Sequence, residues 1–354
     1  MSDSLLRRTR NLHSRPYCRP HLRSMLRLCL LLALASANGA LAQEALRADI
    51  EAFIADMAAK YDYDPVALRA VFSKAQTRPN ILRAMTAPST ARPWYEFRPR
   101  YVENRRIEGG VRFWAENGAA LARARARFGV PEEIVVATIG VETLYGRQVG
   151  GVKVLDALTT LAFDYPRRAD FFRGELEAYL LLGRELAWDV TAVRGSYAGA
   201  MGLPQFLPSS YRKYAVDFDS DGMRNLWGDP ADAIGSVANY YSSHGWERDA
   251  VATVPVVVDE ASLAQLDTTS ILPERPVADF IRDGVTPLAS APADAKAALI
   301  MLETEAGPRY WLALQNFYVI TRYNRSVNYA MAVYELAGEI RARMKGEATA
   351  IGER

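Results

Sequence analysis

Residues 131–146 read PEEIVVATIGVETLYG, and the interpretation of the whole chain starts from this stretch. Pro131 followed by two glutamates is typical of a helix start, because proline fits the first helical position and carboxylates favour the positive end of the helix dipole. The apolar run behind them continues the helix as far as Tyr145, and the glycine at position 146 predicts its end.

Glu142 is the one charged residue between Ile134 and Gly146. Apolar surroundings disfavour the charged form of a carboxyl, and the negative end of the helix dipole lies close by, so both effects predict a raised pKa. A proton donor to a glycosidic oxygen needs such a pKa at neutral pH. Spacing alone leaves an alternative open, in which Glu142 forms an ion pair with Arg147. Steps of three, four and seven along a helix align Glu142 with Val135, Thr138, Ile139 and Tyr145.

Residues 1–42 have the composition of a secretory signal peptide. Arginines precede a short apolar run, and Ala40-Leu41-Ala42 forms an Ala-x-Ala ending. The run is too short to span a bilayer as a helix, although a buried N-terminal helix is the alternative. We expect translation to begin at Met25 and cleavage near Ala42 to release a periplasmic protein. Cys29 lacks the small preceding residues of a lipid-modified cysteine, so lipid anchoring is not expected.

Cleavage of this leader changes the charge of the chain. The full sequence has 43 basic and 41 acidic residues, of which the leader holds seven arginines and one aspartate, so the remainder carries a formal charge of −4. Such a chain lacks the basic surface of a nucleic-acid-binding protein. Both cysteines leave with the leader and His244 is the only histidine left, which excludes Cys-rich or His-rich zinc sites. A serine or cysteine triad would need His244, so acid–base chemistry is assigned to carboxylates.

Hydrophobic spacing predicts a mainly α fold with one small β-rich part, an α+β class. The strand-like runs are residues 251–258 and 298–303. The predicted divisions are a helical domain at 43–129 with an aromatic loop at 76–105, a core of helices and motif-dense loops at 130–249, a small β-rich domain at 250–315, and a return to the core with a C-terminal helix at 316–354.

Five ordered motifs resemble the lytic transglycosylase B family of murein-degrading enzymes. The resemblance covers essentially all of the chain after the leader, and it implies a lysozyme-like core between a helical domain and a small β domain. The motifs are IGVETLYGR at 139–147, DYPRR at 164–168, GSYAGAMGLPQFLPSSY at 195–211, DAIGSVANY at 232–240 and NFYVITRYN at 316–324.

The resemblance implies a reaction on the glycan strands of peptidoglycan. The β-1,4 bond between N-acetylmuramic acid and N-acetylglucosamine would be cleaved by the muramyl C6 hydroxyl, with Glu142 as acid and then base, no catalytic cofactor and a 1,6-anhydro end. Glycosidases normally use two carboxylates, with substrate-assisted enzymes as exceptions, and the loop at 196–211 has no acid. A hydrolytic muramidase and a catalytically silent wall-binding scaffold stay open. Proteins of cell-wall synthesis or the divisome are the expected partners.

The resemblance to the family also implies which residues contact the sugar, within these motifs and outside them. Ser196 and Gln205 are expected to form hydrogen bonds near Glu142 and the acetamido group, while flat rings pack on the apolar faces of sugars. By themselves, a glycine-rich turn and scattered tyrosines are more often structural. Phe97 stands where relatives carry tyrosine, so it keeps the ring and loses the hydroxyl. The expected contacts are Phe97, Ser196, Met201, Gln205, Phe206, Tyr240, Tyr323, Asn324 and Tyr329.

Residues 217–223 read DFDSDGM, which is the front half of an EF-hand loop. Carboxylates stand at positions 1, 3 and 5 and glycine at 6, but position 12 is Gly228 instead of the usual bidentate glutamate. In the family a later aspartate closes the site, and Asp232 matches it. An exposed acidic turn is the alternative. We predict a structural Ca²⁺ held by Asp217, Asp219, Asp221, the backbone carbonyl of Met223, and Asp232.

Overall fold

The computed structural model describes residues 46–86 and 92–346, which contain fourteen α-helices and seven β-strands. The described residues from Asp49 onward lie in one compact unit. The predicted leader lies outside the described residues. Within the described part of the chain, no helix is long and apolar enough to cross a membrane.

Five helices precede the core: α1 (Ala48–Tyr61), α2 (Pro65–Phe72), α3 (Pro79–Thr86), α4 (Trp94–Tyr101) and α5 (Asn104–Phe128). Helix α2 begins at Pro65, since proline fits the first helical position, and α5 ends before Gly129, whose φ of 77° is left-handed. The predicted aromatic loop at 76–105 is wrong for most of its length. It forms α3 and α4 because Ile81 and Trp94 are buried, so packing overrides a composition unfavourable to helices.

The core consists of α6 (Glu132–Thr143), α7 (Val154–Asp164), α8 (Ala169–Glu185), α9 (Pro208–Tyr214) and α10 (Pro230–Ser243), with a 3₁₀ turn at Pro166–Arg168 and an antiparallel strand pair, β1 (Val152–Lys153) and β2 (Arg194–Gly195). Every residue of α6 from Ile134 to Val141 is buried. A helix that is covered on all sides must be central to its domain. It packs against α5 and against the C-terminal helix of the chain.

A five-stranded antiparallel sheet follows, in the order β4-β6-β7-β3-β5. The predicted strands are confirmed as β3 and β6, while β7 was missed because its exposed Pro308 and Arg309 hide the alternation. One face packs on a small apolar core that includes Val254 and Leu299. The elements are β3 (Thr253–Val258), α11 (Glu260–Leu263), β4 (Arg275–Pro276), α12 (Val277–Arg282), β5 (Val285–Pro287), β6 (Lys296–Thr304) and β7 (Gly307–Ala313).

The chain then returns to the helical core through α13 (Gln315–Tyr323) and α14 (Val327–Met344). Helix α14 begins at Val327 because the Ser326 side chain caps it by accepting the Tyr329 N–H. Helix α14 packs along α6. This return brings the first turn of α14 to the end of α6, where the candidate site lies.

Candidate active site

Glu142 is the penultimate residue of α6 and is partly exposed, although Val141 and Thr143 beside it are buried. Burial raises the pKa of Glu142 to about 7, while a hydrogen bond from Tyr329 acts in the opposite direction. The direction of the shift is the one that the apolar run predicts. A carboxyl that borders solvent but is desolvated by the protein can meet a substrate and still hold a proton near neutral pH.

Tyr329 in the first turn of α14 holds the Glu142 carboxyl. Its hydroxyl donates to Glu142 Oε1 over 2.5 Å. Burial, together with the neighbouring carboxylate, holds the pKa values of Tyr329 and Tyr323 well above the ordinary value, so both hydroxyls stay protonated donors. The alternative partner, Arg147, is exposed, and the carboxyl bonds to Tyr329 instead.

The end of α6 differs from the predicted one. The helix stops at Thr143, because Leu144 and Tyr145 adopt left-handed backbone angles, with φ of 50° and 58°. Tyr145 therefore leaves the stripe that helical spacing assigns to it beside Glu142. Its hydroxyl donates to the carbonyl of Arg106 on α5, over 2.8 Å.

Four of the predicted contact residues form an aromatic wall, which we define as Phe206, Tyr240, Tyr323 and Tyr329. The ring of Tyr323 lies 4.8 Å from Tyr240, 5.9 Å from Phe206 and 6.5 Å from Tyr329, measured between ring centroids. The hydroxyl of Tyr240 donates to the carbonyl of Arg322, which fixes its ring. Three separate segments thus bring these rings together beside Glu142.

The loop at 195–207 is tied to the end of α6. The Thr143 hydroxyl donates to the carbonyl of Leu203 over 2.9 Å, and the Gln205 side chain donates to the carbonyl of Val149 over 3.2 Å. Met201 and Phe206 are buried and pair across the loop as an antiparallel bridge. These bonds hold the loop against the helix that carries Glu142.

The remaining predicted contacts are placed as follows. Ser196 Oγ accepts the backbone N–H groups of Ala198 and Ala200. The Gln205 side chain also bonds to the backbone. The hydrogen bonds that both residues are expected to form near Glu142 therefore stay predictions. Asn324 is exposed. Phe97 is only 1% exposed and stacks on Tyr101 at 4.6 Å, so its position in the core offers no support for a sugar contact.

The acidic loop brings its carboxylates together. Oxygens of Asp217, Asp219 and Asp221 lie within 4.8 Å of one another, and so do oxygens of Asp219, Asp229 and Asp232. Asp232 is fully buried, and its two oxygens accept the N–H groups of Phe218 and Asn225 over 2.6 and 2.7 Å. This all-oxygen set fits the ligands that Ca²⁺ prefers. The Met223 side chain is exposed, which leaves the expected role to its carbonyl.

Two residues near these sites were missed by sequence reasoning. Asp229 joins the second acidic group and also caps α10, and the Asp-Pro pair that starts this helix is the signal that could have found it. Tyr241 is buried, and its hydroxyl pairs with Thr138 on α6 over 2.8 Å. Its negative neighbour Glu142 adds to the burial that raises the pKa of Tyr241.

Comparison with known proteins identifies the class. The family model described as a transglycosylase SLT domain matches residues 45–338. The membrane-bound lytic murein transglycosylase B of Escherichia coli (strain K12) is 42% identical over 304 residues, which are 80% of this chain and 80% of that protein. The chain belongs to this family of lytic transglycosylases and is an enzyme.

Solved structures agree with this assignment. The structure of Escherichia coli lytic transglycosylase Slt35 in complex with calcium is 40% identical with a TM-score of 0.79, and the match covers 86% of this chain and 96% of that one. Pseudomonas aeruginosa SltB3 in complex with NAG-NAM-pentapeptide is 30% identical with a TM-score of 0.72, over 86% and 82% of the chains. The predicted fold class, mainly helical and lysozyme-like with a small sheet, is confirmed.

The pKa of Glu142 predicts a pH-dependent effect of Glu142→Gln on stability. A carboxyl whose pKa rises from 4.5 to about 7 on folding adds stability below pH 4.5 and loses it as the pH rises to 7. Glutamine carries no such loss. The free energy of unfolding of the variant, relative to the wild type, should therefore increase between pH 5 and pH 8 by up to roughly 2 kcal/mol.

Urea unfolding of both proteins at the two pH values measures this difference. Glu116, an exposed glutamate on α5, supplies the matched control, since its exchange for glutamine should have the same effect at both pH values. A Glu142→Gln difference that does not change with pH contradicts the raised pKa.

Proposed function

We propose that the enzyme cleaves the β-1,4 bond between N-acetylmuramic acid and N-acetylglucosamine in peptidoglycan and leaves a 1,6-anhydromuramyl end. The observation that carries the proposal is the partly exposed carboxyl of Glu142, whose pKa is raised to about 7 by burial. About half of such carboxyls are protonated near neutral pH, so Glu142 can give a proton to the glycosidic oxygen as its bond to C1 breaks.

Glu142 then acts as the base of the second step. After it has given its proton to the leaving sugar, the carboxylate is stabilised by the Tyr329 hydroxyl, which donates to it. As the glycosidic bond breaks, the acetamido oxygen of the substrate bonds to C1. The C6 hydroxyl of the muramyl residue then attacks C1, which breaks the bond to the acetamido oxygen, and gives its proton to Glu142. This restores the starting state of the enzyme without a water molecule.

The surroundings of Glu142 support a single-carboxyl mechanism. The loop at 195–207, which is bonded to the end of α6, contains no acidic residue. Glu175, a buried carboxyl, is bonded to the start of α9, because its oxygens accept the N–H and the hydroxyl of Ser209 over 2.9 and 2.6 Å. In this proposal Glu175 has a structural role, and Glu142 acts without the second carboxylate that most glycosidases use.

The aromatic wall supports glycan binding. Rings of this kind pack on the apolar faces of sugars, while hydroxyl and amide groups take the polar contacts. Ser196, Gln205 and Asn324 are the proposed polar contacts, and Met201 the apolar one. Phe97 is the weakest member of the proposed set, because its ring stacks on Trp94 and Tyr101. Phe206, Tyr240 and Tyr329 are largely buried too, so Tyr323 presents the most exposed ring of the aromatic wall.

The proposed setting is the periplasm. The basic and apolar segment that ends near Ala42 supports export, and the relative's name, lytic murein transglycosylase, supports a cell-wall substrate. Glycan strands are the proposed partner, with proteins of wall synthesis or the divisome as further candidates.

Glu142→Gln should still bind peptidoglycan but lose turnover by about a thousandfold or more, because the sole general acid–base is removed. Turnover is measured by digesting purified sacculi and identifying the new ends by mass spectrometry. Glu116→Gln, the exposed control, should digest sacculi like the wild type.

Each alternative has its own outcome in this experiment. Anhydro ends from the wild type support the proposal, whereas reducing ends identify a hydrolytic muramidase. Wild-type protein that binds sacculi and releases nothing would be a scaffold. Turnover by Glu142→Gln that equals that of the wild type would rule out the proposed mechanism.

We also infer that the acidic loop holds a structural Ca²⁺. Asp217, Asp219 and Asp221 with the Met223 carbonyl would provide the front of the site, and Asp232 would close it. Carboxylates within 4.8 Å of one another repel unless a cation lies between them. The ion would fix the connection between α9 and α10, and no catalytic step passes through it.

Calcium should raise the melting temperature of the wild type by several degrees, since a ligand that binds only the folded state stabilises it. Asp219→Asn, which removes a carboxylate shared by both acidic groups, should abolish most of that rise. Asp170→Asn is the control, because Asp170 is exposed and pairs only with Arg173 among the described residues. The melting temperatures of the three proteins are measured by thermal unfolding with calcium and with a chelator. A wild type that does not respond to calcium contradicts the site.

A further inference from the structure

The backbone turns sharply just after Glu142. Leu144, Tyr145 and Gly146 have consecutive positive φ values of 50°, 58° and 85°. Left-handed backbone is unfavourable for leucine and tyrosine, and it persists only where the surroundings over-determine it. The Glu142 carboxyl lies two residues before the first of these strained positions, so whatever fixes the turn also fixes the end of α6.

The Tyr145 ring fills a notch lined by glycines, which we call the glycine notch: Gly109 and Gly110 on α5 and Gly140 on α6. A Cβ atom added to any of the three would lie less than 3.0 Å from the Tyr145 side chain. The close approach of the ring therefore requires glycine at all three positions. The ring also lies 5.5 Å from that of Phe113.

Two hydrogen bonds also hold Tyr145 against α5 and α6. The Tyr145 hydroxyl donates to the carbonyl of Arg106 over 2.8 Å, and the Arg106 side chain donates to the carbonyl of Gly140 over 3.2 Å. Arg106 thus joins the tyrosine to the last turn of α6. The Gly140 carbonyl also accepts the Leu144 N–H over 3.1 Å, so Arg106 and the turn after Glu142 share one acceptor at the helix end.

We propose that Tyr145 is a positioning residue for Glu142: its ring in the glycine notch fixes the left-handed end of α6 and so aims the Glu142 carboxyl at Tyr329. Gly140 and Glu142 are two residues apart, about 200° around the helix. The ring consequently supports α6 from the side of α5, while the carboxyl faces α14. This inference rests on the proposed role of Glu142.

The test compares Tyr145→Ala, Tyr145→Leu and Tyr145→Phe in the full-length enzyme. Removing the ring should lower kcat on the order of tenfold to a hundredfold with KM changed less than about threefold, because a carboxyl displaced by about 1 Å loses its alignment. Water that enters beside Glu142 should also lower its pKa, so the alkaline fall of the pH–rate profile should move to lower pH. Tyr145→Phe keeps the ring, so its kcat and its pH–rate profile should stay near those of the wild type.

Tyr179→Ala is the matched control. Tyr179 is a buried tyrosine on α8 whose hydroxyl also donates to a backbone carbonyl, that of Val190, over 2.7 Å. Its loss should lower the melting temperature and leave the pH profile of the folded enzyme unmoved. Should Tyr145→Ala fail to fold, Tyr145→Leu decides the question by the same readouts.

A pH profile that stays unmoved in Tyr145→Leu, or a kcat of wild-type size, overturns the positioning role. Glu142→Gln measured in parallel separates the two claims. If that variant is inactive and the Tyr145 profiles are unmoved, only the role of Tyr145 is wrong. If it keeps turnover, the alkaline fall belongs to another group and the acid–base role of Glu142 is wrong as well.

Discussion

The Tyr329 hydroxyl donates a hydrogen bond to the Glu142 carboxyl, although the two residues are 187 positions apart in sequence. This bond lies where the main elements of the fold meet. Burial favours the neutral carboxyl and the tyrosine favours the charged one, and burial is the stronger effect. The result is a group poised between its two protonation states. The proposed role of Glu142, which first gives and later takes a proton, needs this balance, because either extreme disables one of the steps.

Two helices maintain these surroundings of the Glu142 carboxyl. Helix α6 is buried on almost every side, which desolvates the carboxyl at its end, and α14 returns from the sheet to place Tyr329 against it. Part of the backbone strain lies at the same place. Three of the seven non-glycine residues with positive φ in the described part of the chain, Leu144, Tyr145 and Gln205, lie in the two segments that border Glu142. Strain of this kind costs stability and is typical of sites that are held in one arrangement.

Part of this arrangement could be predicted from sequence, since it depends on local patterns. Apolar spacing located α6 and the helical character of residues 43–129, and the desolvation of Glu142 follows from the apolar run around it. Other features depend on contacts between distant segments. The helices in the predicted aromatic loop form because Ile81 and Trp94 find a core to enter, and the partner of Glu142 is set by the return of α14. Only the match to family motifs, and no spacing rule, pointed to Tyr329 at all.

The acidic loop illustrates the same limit. Asp217, Asp219 and Asp221 follow a pattern that can be read within seven residues, whereas Asp229 joins the second acidic group only because the loop folds back onto the start of α10. Burial of Phe97 was equally invisible, because an aromatic residue beside arginines has the same sequence signature in a groove and in a core. Residues whose role depends on contacts between distant segments can therefore be identified only from the structure.

The most direct test is the titration of the Glu142 carboxyl itself. Carbon-13 NMR of the enzyme labelled at glutamate carboxyls, recorded from pH 3 to pH 9, should show one resonance that is missing in Glu142→Gln and that titrates with a pKa of about 7. A Glu142 resonance that titrates at the ordinary value of 4.5 would contradict the account, because a carboxyl ionised throughout the neutral range cannot act as the first proton donor.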